Sequence, residues 1–122
     1  MKKILLVAAA AALALAVAAG ATGRSSVTKL NGTVGPSFTI SLKKGSSKVT
    51  SLKAGTYSIT VDDRASIHNF VLEQTKGGKF ERAITTVPFV GKKTVTVKLT
   101  RGSWEYYCKP HESLMKGHFT IR

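Results

Sequence analysis

The chain has 122 residues, with 19 lysines and arginines against 6 acidic side chains, a formal charge of +13. That length leaves room for one domain with one modest core, and the single cysteine rules out an internal disulfide. The charge does not point to nucleic acid, since no basic helix or recognition motif accompanies it; it fits solubility and a loose attraction to anionic partners.

The chain begins Met1-Lys2-Lys3, runs through apolar residues from Ile4 to Ala19, and reaches Ala19-Gly20-Ala21. A basic start, an apolar run and a small-x-small site make a secretory signal peptide over residues 1–21, with the cut expected at Ala21/Thr22. An uncleaved anchor fits less well: 16 residues as a helix reach about 24 Å, against a hydrocarbon core of about 30 Å. No cysteine near the cut can take a lipid, and no Arg-Arg pair marks the twin-arginine route. The protein is therefore expected outside the cytoplasm, whether periplasmic, wall-associated or secreted, with no transmembrane span once cleaved. Residues 22–26 read as a flexible leader and 27–122 as the single domain. Without Lys2 and Lys3 the charge of +13 becomes +11. The remaining lysines, among them Lys43, Lys44, Lys48, Lys53, Lys76, Lys79, Lys92 and Lys93, are spread through turns, which predicts a diffuse field.

From Lys29 onward the signals are short alternating runs broken by Gly, Pro, Ser and Asp. Strands are expected at Lys29–Val34, Phe38–Leu42, Val49–Leu52, Tyr57–Val61, Ile67–Glu73, Thr94–Leu99, Ser103–Cys108 and Lys116–Arg122. The stretch from Gln74 to Lys93 is irregular and leaves open a helical turn or an edge strand. Alternation turns Phe38, Ile40, Leu42, Tyr57, Ile59, Val61, Phe70, Leu72, Val95, Val97, Leu99, Trp104, Tyr106, Phe119 and Ile121 inward. Seven or eight such strands with one core predict an all-β antiparallel Greek-key sandwich or barrel.

The chemistry gathers in Tyr107-Cys108-Lys109-Pro110-His111-Glu112-Ser113-Leu114-Met115. A thiolate, an imidazole and a thioether at Cys-x-x-His-x-x-x-Met are soft or borderline donors, which suit copper better than magnesium, calcium or manganese. A free thiol outside the cytoplasm is a liability, so ligation is a serious candidate for Cys108. The second imidazole is expected from His68. Singly, each residue has a simpler fate: Cys108 as a buried thiol or the seat of a dimer, His68 as a hydrogen-bonded core histidine, Met115 as packing. Together, in this order on a β-sandwich, they point to one copper ion. Pro110 restricts the loop and removes a backbone N–H beside the cysteine, where hydrogen bonds to sulfur tune a copper–thiolate centre. His118 alternates with Gly117 and Phe119 and is expected to face outward, as is Glu112 at the loop tip.

Here the chain resembles the cupredoxins, the blue type 1 copper proteins, and in particular their small bacterial plastocyanin-like members. The resemblance runs through Gly32-Thr33-Val34 with Phe38-Thr39-Ile40, Leu52 to Tyr57, Asp62 to Phe70, and Gly102 to Thr120. It implies His68, Cys108, His111 and Met115 as ligands, with Asn69 tying the ligand loops together. It also implies a one-electron carrier cycling Cu(I)/Cu(II), redox partner proteins that the positive charge would favour as acidic, and a monomer. Electron routes are implied at Tyr107 and at an apolar face of His111, Leu114 and Phe89. One departure is that three residues separate His111 from Met115, where plastocyanins usually have four, which bears on the axial bond and the potential. Nothing beside the ligands resembles a catalytic acid–base pair, and four protein ligands leave no open position, so no enzyme is expected. The alternative from another class is a copper-delivery protein that holds the metal without carrying electrons.

Overall fold

The structure is a computed structural model and describes residues 26–122. The signal peptide expected at 1–21, and all but Ser26 of the leader, lie outside the described residues. Ten strands follow in chain order: β1 (Thr28–Val34), β2 (Ile40–Lys44), β3 (Ser47–Lys48), β4 (Ser51–Leu52), β5 (Gly55–Asp63), β6 (Phe70–Lys76), β7 (Glu81–Thr85), β8 (Gly91–Leu99), β9 (Gly102–Tyr107) and β10 (Lys116–Ile121). A single 3₁₀ turn, Lys109–His111, separates the last two. One sheet has the order β3-β2-β1-β5-β8 and the other β4-β10-β9-β6-β7, giving an open sandwich and not a closed barrel.

One departure from the expected strands has a simple cause. The run Val49–Leu52 divides, because β3 pairs with β2 through Lys43 and Lys48 while β4 pairs with β10 through Leu52 and Ile121. The chain thus changes sheets at Val49-Thr50, and the Val49 amide still donates to Leu42 O at 2.9 Å. The irregular stretch contributes β7, an edge strand beside β6. The sheets are also mixed, with β1–β5 and β4–β10 running parallel. Alternation of residue type sets which face a side chain takes, but it carries no information on strand direction.

The core lies between the two sheets. Leu30, Leu42, Ile59, Val61, Phe70, Leu72, Ile84, Leu99, Trp104 and Tyr106 are buried there, Tyr106 stacking on Phe70 with ring centroids 5.8 Å apart. Trp104 keeps its indole N–H satisfied by donating to Thr100 O at 2.9 Å. Phe38 does not join them and is 52 % exposed. The Gly35 amide donates to Thr39 O (2.9 Å) and closes a turn, so β2 starts at Ile40 and the alternation does not extend back to Phe38.

Gly117 sits opposite Tyr106 in the β9–β10 ladder, and a Cβ there would land on the Tyr106 ring. Gly117→Ala should therefore destabilise the fold by about 1–3 kcal/mol through overpacking. For a domain of this size that lowers Tm by roughly 4–8 °C per kcal/mol in thermal unfolding; an unchanged Tm would contradict this packing.

Candidate metal centre

Strand ends place the proposed donors together at one end of the sandwich. His68 lies in the turn before β6 and not on the strand, its amide donating to Ala65 O (3.3 Å). Cys108 directly follows β9, and His111 ends the 3₁₀ turn. The loop to Met115 is closed by its own backbone. The Cys108 amide donates to Met115 O (3.0 Å), the His111 amide to Cys108 O (3.1 Å), and the Leu114 and Met115 amides to His111 O (3.0 and 2.9 Å). Pro110, within the first turn, withholds no donor that this pattern uses. With three residues between His111 and Met115, the loop closes without a strained residue, and Met115 is buried in the core cluster that also contains Cys108.

Three donor atoms converge. His68 Nδ1 and His111 Nδ1 are 3.1 Å apart, and each lies 3.7 Å from Cys108 Sγ. A triangle with sides of 3.1, 3.7 and 3.7 Å has a circumradius of about 2.0 Å, against bonds of about 2.0–2.1 Å from zinc to imidazole and about 2.3 Å to thiolate. The spacing therefore suits a small metal ion bound by all three atoms. His68 and Cys108 are fully buried and His111 half-buried. With Nδ1 facing the other donors, the buried His68 Nε2 has no hydrogen-bond partner. Two imidazoles and a thiolate with a neighbouring thioether form a donor set that fits one copper ion.

The surroundings fix these side chains. Asn69 Oδ1 accepts the Lys109 amide at 2.8 Å, joining the turn before β6 to the 3₁₀ turn after β9. Phe38 lies edge-on to both imidazoles, its ring centroid 4.9 Å from His111 and 5.3 Å from His68. Gly35 comes so close that a Cβ would meet His68 Cδ2 at 3.1 Å, and its φ of 74° independently favours glycine. The turn at residues 35–39 is thus a third wall of the site. Sequence reasoning assigned Phe38 to the core; the only available signal was the Gly35-Pro36 break just before it. Leu114 is exposed beside His111, whereas Phe89 is half-buried in the loop between β7 and β8 and packs against Gly91. His118 is exposed.

Tyr107 is buried, and its hydroxyl donates to Glu81 Oε1 at 2.8 Å. Burial first, then the hydrogen bond and charge of Glu81, push its phenol well above the ordinary range. Glu73 is likewise raised, by desolvation and then by the charges of Glu81, Glu105 and Glu112.

A family model for copper-binding proteins of the plastocyanin/azurin family matches residues 39–122. The chain belongs to that family. Among solved structures it is similar to the copper protein rusticyanin, with 16 % identity, a TM-score of 0.58, and 81 % of this chain and 80 % of that one covered. Reduced rusticyanin gives 17 % identity, a TM-score of 0.56, and 82 % coverage of each chain. A Cu(I) form of an amicyanin variant gives 14 % identity, a TM-score of 0.50, and coverage of 78 % and 83 %. At these identities the likeness establishes the fold. No curated protein matches the chain.

Asp63, at the end of β5, is buried close to this centre. Its Oδ1 accepts the Ala65 amide (3.2 Å), while Oδ2 has no partner within hydrogen-bond distance. Burial raises its pKa above the ordinary carboxyl value, outweighing the Thr85 hydroxyl, the Ala65 amide and His68, which all act to lower it. Between the unfolded and folded pKa values the folded chain binds more protons, so this group's contribution to stability declines as pH rises through that window. Asp63→Asn keeps an acceptor for Ala65 and removes the decline. Urea unfolding from acidic to neutral pH should show the variant gaining on the parent as pH rises, and a constant difference would place the titration elsewhere.

Proposed function

We propose that the protein is an exported blue copper protein that carries single electrons and is not an enzyme. His68, Cys108, His111 and Met115 would hold the metal, Met115 as the weakest donor, with Asn69 and Pro110 shaping the loops around them. The convergence of two Nδ1 atoms and one Sγ on a common point about 2.0 Å from each carries this reading. When bound, the copper ion supplies a one-electron Cu(I)/Cu(II) couple.

The residues around it support electron transfer. The loop from Cys108 to Met115 is held by four backbone hydrogen bonds and tied to Asn69, so the donors would move little between oxidation states. Phe38 and the buried side chains exclude water from all but one edge of the site. That edge is His111, framed by Phe38, Pro110 and the exposed Leu114, which makes it the natural exit for an electron and an apolar docking face. Tyr107 adjoins Cys108 in the chain and reaches Glu81 on the second sheet, offering another route. The lysine-rich exterior favours an acidic redox partner met by a monomer.

Lys2-Lys3, the apolar run and Ala19-Gly20-Ala21 support export, with cleavage after Ala21. Among the described residues no helix is long and apolar enough to cross a membrane. Copper-loaded, oxidised protein should be intensely blue with a narrow-hyperfine EPR signal and exchange electrons rapidly. A colourless copper form would refute the assignment, and tight binding with slow exchange would assign the site to copper handling instead. Cys108→Ser should abolish the colour. Met115→Leu should keep it and raise the reduction potential measured by voltammetry, because a donor to Cu(II) is lost; an unchanged potential would remove Met115 from the ligand set.

A further inference from the structure

Lysines remain at both ends of the sandwich, but the fold sorts the acidic side chains. All four glutamates lie on the second sheet or in the loop before β10: Glu73 on β6, Glu81 on β7, Glu105 on β9, and Glu112. Asp62 and Asp63 end β5 beside the metal centre. Among the described residues the single ion pair joins Asp62 to Arg64 at 3.0 Å. The opposite end of the sandwich is left with positive charge that no acidic side chain neutralises.

At that end two adjoining hollows of about 350 and 330 Å³ share Lys44, Ser51 and Leu52 as walls. Lys48 lines the first, Lys53 and Arg122 the second, and no acidic side chain lines either. The hollows follow the crossover from β3 to β4, where the chain changes sheets. Their walls are set by backbone: the Thr120 amide donates to Thr50 O, the Arg122 amide to Leu52 O (both 3.0 Å), and the Tyr57 hydroxyl to Lys53 O at 2.6 Å. Arg122 is itself positioned, its Nε donating to Ser51 Oγ at 3.1 Å, and among the described residues neither terminal guanidinium nitrogen has a partner. A planar guanidinium held this way matches the paired oxygens of a phosphate group. The Arg122 backbone oxygen accepts the Ala54 amide (2.9 Å) from the turn after β4.

We propose that this cleft binds a phosphate-bearing anionic polymer, with successive phosphates seated in the two hollows. A flat bilayer would meet only the rim, so the hollows favour an extended chain over a lipid surface. No exposed aromatic lines the cleft, Tyr57 being buried, so recognition runs through the phosphates alone. Tyr57 and Asp63 stand six residues apart on β5, about 20 Å at the rise of a strand. A polymer bound at the far end therefore leaves the His111 face uncovered, and the protein would be tethered with its metal end free.

Titration of the ¹⁵N-labelled protein with sodium tripolyphosphate, read by amide chemical shifts, tests this. The proposal expects saturable changes at Lys44, Lys48, Ser51, Lys53 and Arg122, weakened by salt. Lys44→Gln combined with Lys53→Gln, and separately Arg122→Gln, should each raise Kd by about tenfold or more, as expected for lost charge-assisted contacts. Changes of equal size at Lys92, Lys93 and Lys109, or no saturation, would show a diffuse field and overturn it. So would binding to phosphatidylglycerol vesicles that the Lys44 and Lys53 substitutions leave intact. The measurement is made on copper-free and copper-loaded protein alike, and its outcome is independent of whether the metal centre is blue.

Discussion

One hydrogen bond, from the Lys109 amide to Asn69 Oδ1, joins the two segments on which the metal centre depends. Asn69 belongs to the turn entering β6, and Lys109 to the turn leaving β9. These strands pair antiparallel through Val71 and Tyr107, so their neighbouring ends already lie side by side. The asparagine bond converts that proximity into a fixed distance. It positions His68, the residue before Asn69, against Cys108, the residue before Lys109. With the two chain segments locked, His111 needs only one 3₁₀ turn to bring its Nδ1 to the same point.

The sandwich supplies the rest by burial. Cys108 and His68 are polar or ionisable groups with no exposed surface, which is costly for a fold unless they have partners. Their partners are one another and, in a member of this family, the metal ion. The surrounding apolar wall, from Phe70 and Tyr106 to Met115, keeps water away from the donors and sets the low-polarity environment in which a copper–thiolate couple is tuned.

Much of this was legible in the sequence because the relevant signals are local. Cys108, Pro110, His111 and Met115 fall within eight consecutive residues, and alternation in β5, β8, β9 and β10 marked the inward side chains correctly. What escaped was non-local. The division between β3 and β4 depends on which sheet each edge can join, and the parallel pairing of β1 with β5 depends on the path of the chain between them. Phe38 was misplaced for a related reason: the turn that begins at Gly35 interrupts the alternation that Ile40 and Leu42 begin. Charge segregation was equally invisible, since neighbouring lysines in the sequence say nothing of which acidic groups the fold will carry to the other sheet.

Phe38 also separates two properties that are usually joined in a small protein. Half of its surface faces solvent, and it contributes little to the packing between the sheets, yet it is the aromatic neighbour of both imidazoles. A change at this position can alter how closely solvent and small molecules approach the centre while the interior stays as it is. Within the wall over the metal centre, Phe38 is thus a position where evolution can adjust access to the donors without disturbing the interior, whereas Gly35 is held by its backbone conformation.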